Sequence, residues 1–598
     1  MRPAASQFFS TTELVALMAA YLGQRALSRL MRTCPHMNVL WAPFLYRRMF
    51  ISYNAGKRSL FGSPHSTLAF AKNSQYVREL DIDLLGLVYY LNGVTVFNNF
   101  RAISTGSSLS EPRWRCLPDP RTCLVLPIPP TTLLTKLTIC TLREATDRAC
   151  PYYLHSISNP RATMSQVCWL IQLNPCLREL ILTGLIFKDC WDIQLFTNAV
   201  YGLIQLRELV LVAEFWEGTA LQLGRTIFFA CPLSLKVFDV ALMEKNFSQD
   251  RMLMGDYLTA EPGAFHSWER EEDEGDLPTT PVRQEPLTEL RRLCLQQFGD
   301  LICADDFLSI TRHCPNIRVL EMPVLCEVKN VGKLAKDIVK TCRKLVWMAH
   351  RVDSTATASS ELLLRIMEAL PPQLISLVFF GGKAFKVQEP DTAELFRRHS
   401  TTLTSLFLGG CRNVDGRVIQ VILTECEALK GLNIPWQGQG QELSISLQEV
   451  IEYSWVCTGL RDLVLTIGVL VGPLSQTNGA HPYYIRSPPT ALSMEEKDQF
   501  ESLEEFYKEI GALEQLETLK LSVFFFDPTG MRPLSWEYRK NAFPGMLSMG
   551  NIRTGRPGYL HHLTGWKKLK TRSGSVSADV AEIKKTMGWA EAVWMDAS

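Results

Sequence analysis

Apolar positions along this chain fall into a beat: a strand-like pair, a polar turn, then a helix-like stretch. The segment from Leu403 to Ile434 shows the unit most plainly. Leu403, Leu406 and Leu408 stand in the order L-x-x-L-x-L, and a polar turn follows (Gly410, Arg412, Asn413, Asp415, Gly416). Val418, Val421, Ile422 and Cys426 return at helical spacing before Leu429, Leu432 and Ile434 restart the pattern. Alternation with period two predicts a strand buried on one face, and the three-to-four spacing predicts an amphipathic helix behind it. Neither element buries its apolar face alone, so each unit needs neighbours.

The fourth position of each such segment serves as an index: Leu80, Leu137, Leu180, Leu209, Phe238, Leu293, Leu320, Met348, Leu377, Leu406, Leu432, Leu463 and Leu519. Successive indices are 57, 43, 29, 29, 55, 27, 28, 29, 29, 26, 31 and 56 residues apart. Most of these spacings are one repeat and three are close to two, which marks an internal repeat carrying insertions. A unit of this length resembles the leucine-rich repeat in its long, cysteine-containing form. The resemblance implies an α/β solenoid over residues 76–535, a horseshoe with a parallel inner sheet and outer helices. Inserted loops are expected near 104–130, 244–288 and 469–492. Within the second, Glu269 to Asp276 reads EREEDEGD among prolines, which predicts a solvated loop or an acidic peptide that docks on a basic partner. Ser493 with Glu496 has the form of a capping box opening a helix. Residues 536–598, ending in a helix-like run from Ala578 to Trp594, read as a C-terminal cap.

Residues 8–50 stand outside the beat. Leu14, Leu17 and Met18 share one helical face, and Gly23 closes that helix after Leu22. Leu27, Leu30 and Met31 mark a second helix. After Cys34-Pro35 a third carries Val39, Leu40, Trp41, Phe44, Leu45 and Tyr46. Three short helices make a small core, so part of their apolar surface calls for a partner. The apolar start, Tyr21-Leu22, Ala26-Leu27 through Leu30, Cys34, Trp41 and the closing Leu45-Tyr46-Arg47 resemble an F-box. Residues 1–50 are then a small all-α domain, and 51–75 a turn-rich connector. The resemblance implies docking on S-phase kinase-associated protein, the linker subunit of a cullin–RING ubiquitin ligase of the SCF type. The face implied is Phe9, Leu14, Leu17, Leu22, Leu27, Leu30 and Trp41. The repeats would hold a protein substrate, and any ubiquitin transfer would belong to partner subunits. The alternative is a scaffold outside any ligase, whose N-terminal helices cap the first repeat.

Residues between the paired strand apolars point to the opposite face of the sheet. Their row is Cys294, Glu321, Ala349, Val378, Phe407, Asn433 and Val464. Val378, Phe380 and Phe407 form an apolar patch there and, with Asn433 and Val464, are the candidate substrate-binding residues on the concave side. Such a patch means a protein or small-molecule partner, or else a loop or the C-terminal tail folded over it.

Composition narrows the rest. With 598 residues, 46% hydrophobic, 21% charged and a net charge of +1, the chain lacks the basic excess of a nucleic-acid binder. The apolar stretch from Leu14 to Gly23 is too short to span a bilayer and lacks the flanks of a signal peptide. The expectation is a soluble protein of the cytoplasm, with no membrane partner; Lys567, Lys568 and Lys570 read as a solvated face or a nuclear-import signal. Among the 17 cysteines, Cys231, Cys314, Cys342, Cys426 and Cys457 recur three or four residues before a strand, as small buried packing residues do. No phosphate-binding loop, dinucleotide loop, C-x-x-C, H-E-x-x-H or G-x-S-x-G occurs, so no cofactor, metal or catalytic group is expected.

Overall fold

A parallel strand backed by a helix has one dry face, and the index residues occupy it. The computed structural model describes residues 11–51, 72–83, 133–140, 164–187, 190–215, 220–244, 283–295, 304–323, 325, 328, 330–351, 357–380, 390–409, 416–434, 450–470, 494–526, 571–574 and 593–594. All thirteen index residues are buried, none more than 5% exposed. At roughly 1.5–3 kcal/mol for each fully buried aliphatic side chain, this column is the main apolar seam of the repeats.

The chain forms two units, Met1–Leu301 and Ile302–Ser598. The first opens with three helices, α1 (Thr12–Tyr21), α2 (Gln24–Met31) and α3 (Pro35–Leu45). Strands β1 (Arg48–Ile51), β2 (Glu79–Asp83), β3 (Lys136–Cys140), β4 (Glu179–Phe187), β5 (Glu208–Phe215), β6 (Val237–Glu244) and β7 (Arg292–Cys294) follow, each parallel to the next. Helices α4 (Met164–Gln172), α5 (Cys190–Tyr201) and α6 (Ala220–Ala230) lie between β3 and β6 in sequence. The register aligns Leu80, Leu137, Leu180, Leu209, Phe238 and Leu293 across these strands. Gly184 interrupts β4 at φ 77°, where the pairing with β5 shifts register between Thr183 and Leu185. Only glycine takes that left-handed conformation cheaply, and the bulge brings Leu185 and Phe187 inward.

The second unit has the same construction. Its strands are β8 (Val319–Met322), β9 (Trp347–Arg351), β10 (Ser376–Phe380), β11 (Ser405–Gly409), β12 (Gly431–Ile434), β13 (Asp462–Leu470), β14 (Thr518–Phe526), β15 (Thr571–Gly574) and β16 (Val593–Trp594). Helices α7 (Ala304–Arg312), α8 (Val331–Thr341), α9 (Thr357–Ala369), α10 (Pro390–Arg398), α11 (Gly416–Glu425) and α12 (Met494–Gly511) intervene. Leu320, Met348, Leu377, Leu406, Leu432, Leu463 and Leu519 are in register. Both units are therefore α/β leucine-rich-repeat arrays.

At the entry to β2–β7 and to β9–β14 one backbone carbonyl accepts two N–H groups from the next repeat. In the first unit the Arg178 carbonyl takes Arg207 N at 2.8 Å and Glu208 N at 3.0 Å, and that of Lys236 takes Arg291 N at 2.8 Å and Arg292 N at 3.1 Å. In the second, the Ile375 carbonyl takes Thr404 N at 2.8 Å and Ser405 N at 3.2 Å. Such shared carbonyls satisfy the buried donors that start each strand. The recurring cysteines close the same turns. Cys231, Cys314, Cys342, Cys426 and Cys457 are all buried, and the thiols of Cys231 and Cys314 donate to Ile227 O and Ile310 O, each at 3.2 Å. Burial pushes the Cys342, Cys426 and Cys457 thiols up to about 12, so they stay protonated and act as apolar filler.

Two differences from the sequence reading stand out. The sheet begins at β1, inside the segment assigned to the helical domain, because Met49 pairs with Leu80 in an otherwise unmarked Arg48-Met-Phe-Ile51. The sheet also continues past residue 535 as β15 and β16, so Val593 and Trp594 are strand where a helix was expected. The first helix ends at Tyr21 with Leu22 as its C-cap, and Gly23 is the N-cap of α2 at φ −70°, its carbonyl accepting Ala26 N at 2.9 Å and Leu27 N at 3.1 Å. The expected loop at 104–130, nearly all of those at 244–288 and 469–492, the cap residue Ser493 and the Lys567–Lys570 cluster fall outside the described residues.

Candidate functional site

The helical domain and the open face of the second unit's sheet hold the candidate residues. In the helical domain, Val15 and Ala19 on α1, Leu27 and Met31 on α2, and Met37, Trp41 and Ala42 on α3 make one buried core. Trp41 is its centre: fully buried, it donates from Nε1 to Met37 Sδ at 3.3 Å and lies tilted against Phe44 with ring centroids 6.1 Å apart. Leu22 and Leu30 are half-buried against the same core.

Trp41 and Leu27 therefore hold the three helices together and have no surface to give a partner. That corrects the docking face expected from the sequence. Leu14, Leu17 and Tyr21 lie at i, i+3 and i+7 on the other side of α1, exposed by 41%, 60% and 89%. Val39 on α3 is 71% exposed. Helix α1 is thus apolar on two faces, one closed on the core and one open. Tyr21 and Val39 lay outside the expected set; their signal was that apolar residues continue off the face Val15 and Ala19 define. Phe9 lies outside the described residues.

On the sheet, the expected row is in register strand by strand: Glu321, Ala349, Val378, Phe407, Asn433 and Val464 pair in that order across β8 to β13. The row is not uniform. Glu321 and Ala349 are buried, whereas Val378, Phe407, Asn433 and Val464 are half-buried. Asn433 keeps a buried Oδ1 with no hydrogen-bond partner, an acceptor beside two apolar neighbours. Phe380 pairs in register with Arg351 and Gly409, two residues on from Val378; its side chain falls outside the described residues. Cys294 belongs to the first unit, in register with Asp239.

A buried histidine went unnoticed in the sequence. His350 sits two residues after the index Met348, where the neighbouring strands place Met322 and Phe379. It is fully buried, with its ring 5.8 Å from that of Phe379. Burial lowers its pKa to about 4. The signal was positional: a polar residue in a column that is otherwise apolar. His399, also buried and facing Met367 O at 3.1 Å from Nε2, is lowered by burial as well.

Among the described residues no group of three or more His, Cys, Asp or Glu side chains could hold a metal ion, and no helix is long and apolar enough to cross a membrane. What the geometry offers chemically is surface for docking.

No family model and no curated protein matches the chain. Solved structures do. An internalin from Listeria monocytogenes is 13% identical over 63% of this chain and 88% of its own, with a TM-score of 0.29. A leucine-rich-repeat protein from Leptospira interrogans is 11% identical over 86% of this chain and 95% of its own, with a TM-score of 0.30. Likeness at that level carries nothing about function. The class, an α/β solenoid of leucine-rich repeats, rests on the register and burial described above.

Proposed function

We propose that this protein is the substrate-recognition subunit of a cullin–RING ubiquitin ligase. In this reading α1–α3 dock on S-phase kinase-associated protein, and through it on a cullin, while the repeats hold a protein substrate in the cytoplasm or nucleus. One observation supports it above the others: Leu14, Leu17, Tyr21 and Val39 are exposed on a domain whose core is already complete without them. Exposed apolar clusters of this kind mark interaction sites. The half-buried row Val378, Phe407, Asn433 and Val464 is the substrate face in the same reading. Catalysis is then proximity, the substrate's lysines being held at high effective concentration near a charged partner enzyme.

The scaffold reading draws on a different observation: α3 ends at Leu45 and the first strand begins at Arg48, and Tyr76 packs on the helical core, so the helices also serve as the end cap of the sheet. Co-purification separates the two. The unmutated protein is expected to bring down the linker subunit, and Leu14→Asp combined with Leu17→Asp to lose it while keeping its circular dichroism. Both positions are exposed, so the pair spares the core. If the unmutated chain never retains the linker, the helices are a cap and the scaffold reading replaces the ligase one.

A further inference from the structure

Where α3 runs into β1, a cleft of about 580 Å³ opens between the helical domain and the first four strands. Pro43, Phe44 and Tyr76 supply its apolar part. Its charged lining is five cations, Arg47, Arg48, Arg78, Lys136 and Arg178, against the two carboxylates of Glu79 and Glu179. Both carboxylates are already matched: Arg48 Nε donates to Glu79 Oε2 at 2.6 Å, and Lys136 Nζ pairs with Glu179 Oε2. Arg47, Arg78 and Arg178 remain with no carboxylate bonded to them among the described residues. Arg78 donates from Nη1 to the carbonyls of Gln75 at 2.7 Å and Val77 at 3.1 Å, which fixes its guanidinium without neutralising it. The cleft therefore holds a surplus of positive charge in front of an aromatic wall.

The surplus continues along the sheet. Arg47, Arg78 and Arg178 occupy the strand-entry position whose carbonyl is shared between repeats, with Thr135 standing between the last two, and the same position holds Arg207, Lys236 (3.9 Å from Glu289 Oε2) and Arg291 in the strands that follow. Arg207 and Lys236 are exposed and Arg291 is half-buried. With neighbouring strands about 4.8 Å apart, the row from Arg47 to Arg291 runs roughly 29 Å, the length of about nine extended residues.

We propose that this cleft and row bind an acidic peptide segment of a partner protein, with a carboxylate-rich end seated among Arg47, Arg78 and Arg178. Guanidinium forks match carboxylates in two-point contacts, and three of them line this cleft. A nucleic-acid strand suits the edge less well. Glu79, Glu179 and Glu208 stand one residue further along their strands, and a continuous phosphate chain meets a carboxylate on three of the seven strands it crosses. A peptide sets a neutral or basic residue opposite each.

This inference goes beyond the ligase reading and does not depend on it, because its charged residues lie at the sheet edge whereas the exposed apolar residues of that reading are Leu14, Leu17 and Tyr21 on α1 and Val39. The test is fluorescence anisotropy of a labelled Asp/Glu-rich peptide with the full-length protein at low and at physiological salt. The expected result is binding that weakens with salt, falls roughly tenfold or more, about 1.4 kcal/mol, in Arg47→Glu with Arg178→Glu, and is unchanged in Arg318→Glu with Arg461→Glu. Arg207→Glu with Arg291→Glu, outside the cleft, should weaken it to a smaller degree. Equal binding of a Gln/Asn peptide of the same length overturns the proposal, as does tighter binding of single-stranded DNA lost in the same variants. Indifference to both charge reversals in the first unit also overturns it. Linker co-purification is expected to be untouched by all of these substitutions, so failure here is distinguishable from failure of the ligase reading.

Discussion

At strand entry the first unit carries Arg47, Arg78, Thr135, Arg178, Arg207, Lys236 and Arg291, while the second carries Arg318, Val346, Ile375, Thr404, Lys430, Arg461 and Glu517. The backbone does the same thing at both edges: the Arg207 carbonyl takes its two N–H groups at 2.7 and 3.0 Å, the Lys430 carbonyl at 2.7 and 3.0 Å. Only the two threonines bring a side chain into that bonding, Thr135 Oγ1 donating to Arg78 O at 3.2 Å and Thr404 Oγ1 to Ile375 O at 3.1 Å; the other side chains at this position take no part, so repetition of the fold leaves them unconstrained. One unit spends that freedom on cations, the other on a mixture that includes an Ile375 44% exposed. The difference teaches where to look for function in a repeat protein: at positions the repeat itself does not specify.

If the frame is shared, deep truncations should hurt both units alike. Leu180→Ala in β4 and Leu406→Ala in β11 are each expected to cost about 2–5 kcal/mol, read from chemical denaturation. A loss below about 1 kcal/mol at either would break the equivalence of the two frames.

Acid should then separate the units. His350, in the second unit, has a folded pKa of about 4 against 6.5 for the free side chain. The unfolded chain takes up the proton first, so stability present above pH 6.5 is lost as pH falls toward 4. The expected loss is about 3 kcal/mol, and His399 adds to it in the same direction. His350→Leu should flatten most of this dependence in thermal melts; an unchanged acid limb would mean that other groups carry it. Among the described residues the first unit has no buried histidine, so its amide-exchange protection should fall less over that range.

Thiol chemistry sharpens the likeness of the interiors. With Cys342, Cys426 and Cys457 held near 12, alkylation of the native protein at mildly alkaline pH should be slow at these sites and become fast on unfolding. Fast labelling of Cys426 in native protein, followed by mass spectrometry, would contradict its packing role. The smallest effect belongs to the helix surface. Arg397 on α10 binds Glu425 on α11 through Nε and Nη2 at 2.7 and 2.8 Å, yet Arg397→Ala should cost under about 1 kcal/mol, because the pair is exposed and screened.

The frame was legible because every index residue repeats one chemical demand, a large apolar side chain in a dry column. Met49 escaped notice since Arg48-Met-Phe-Ile51 lacks the leading leucine, and its pairing with Leu80 is a fact of the sheet rather than of the local text. In the helical domain the sequence marked the right helices and mixed their faces. Leu27 and Trp41 look as apolar as Leu14 and Leu17, and only closure of three helices on one another decides which are spent inside. The entry arginines were visible as a basic residue two before each of five index residues, Leu80, Leu180, Leu209, Phe238 and Leu293. They carry no periodic apolar signal, so a reading tuned to hydrophobic periodicity passes over them.

The shared carbonyl at strand entry also acts as a point where the chain's phase is reset. Leu80 and Leu137 are 57 residues apart and still pair without a slip, as do Leu209 and Phe238 at about half that distance. Doubling an excursion costs only about 0.6 kcal/mol in closure entropy, and the two N–H groups that meet the carbonyl correct for whatever length came before. The array can therefore accept new sequence between repeats as a bookshelf accepts volumes of unequal thickness with their spines kept flush.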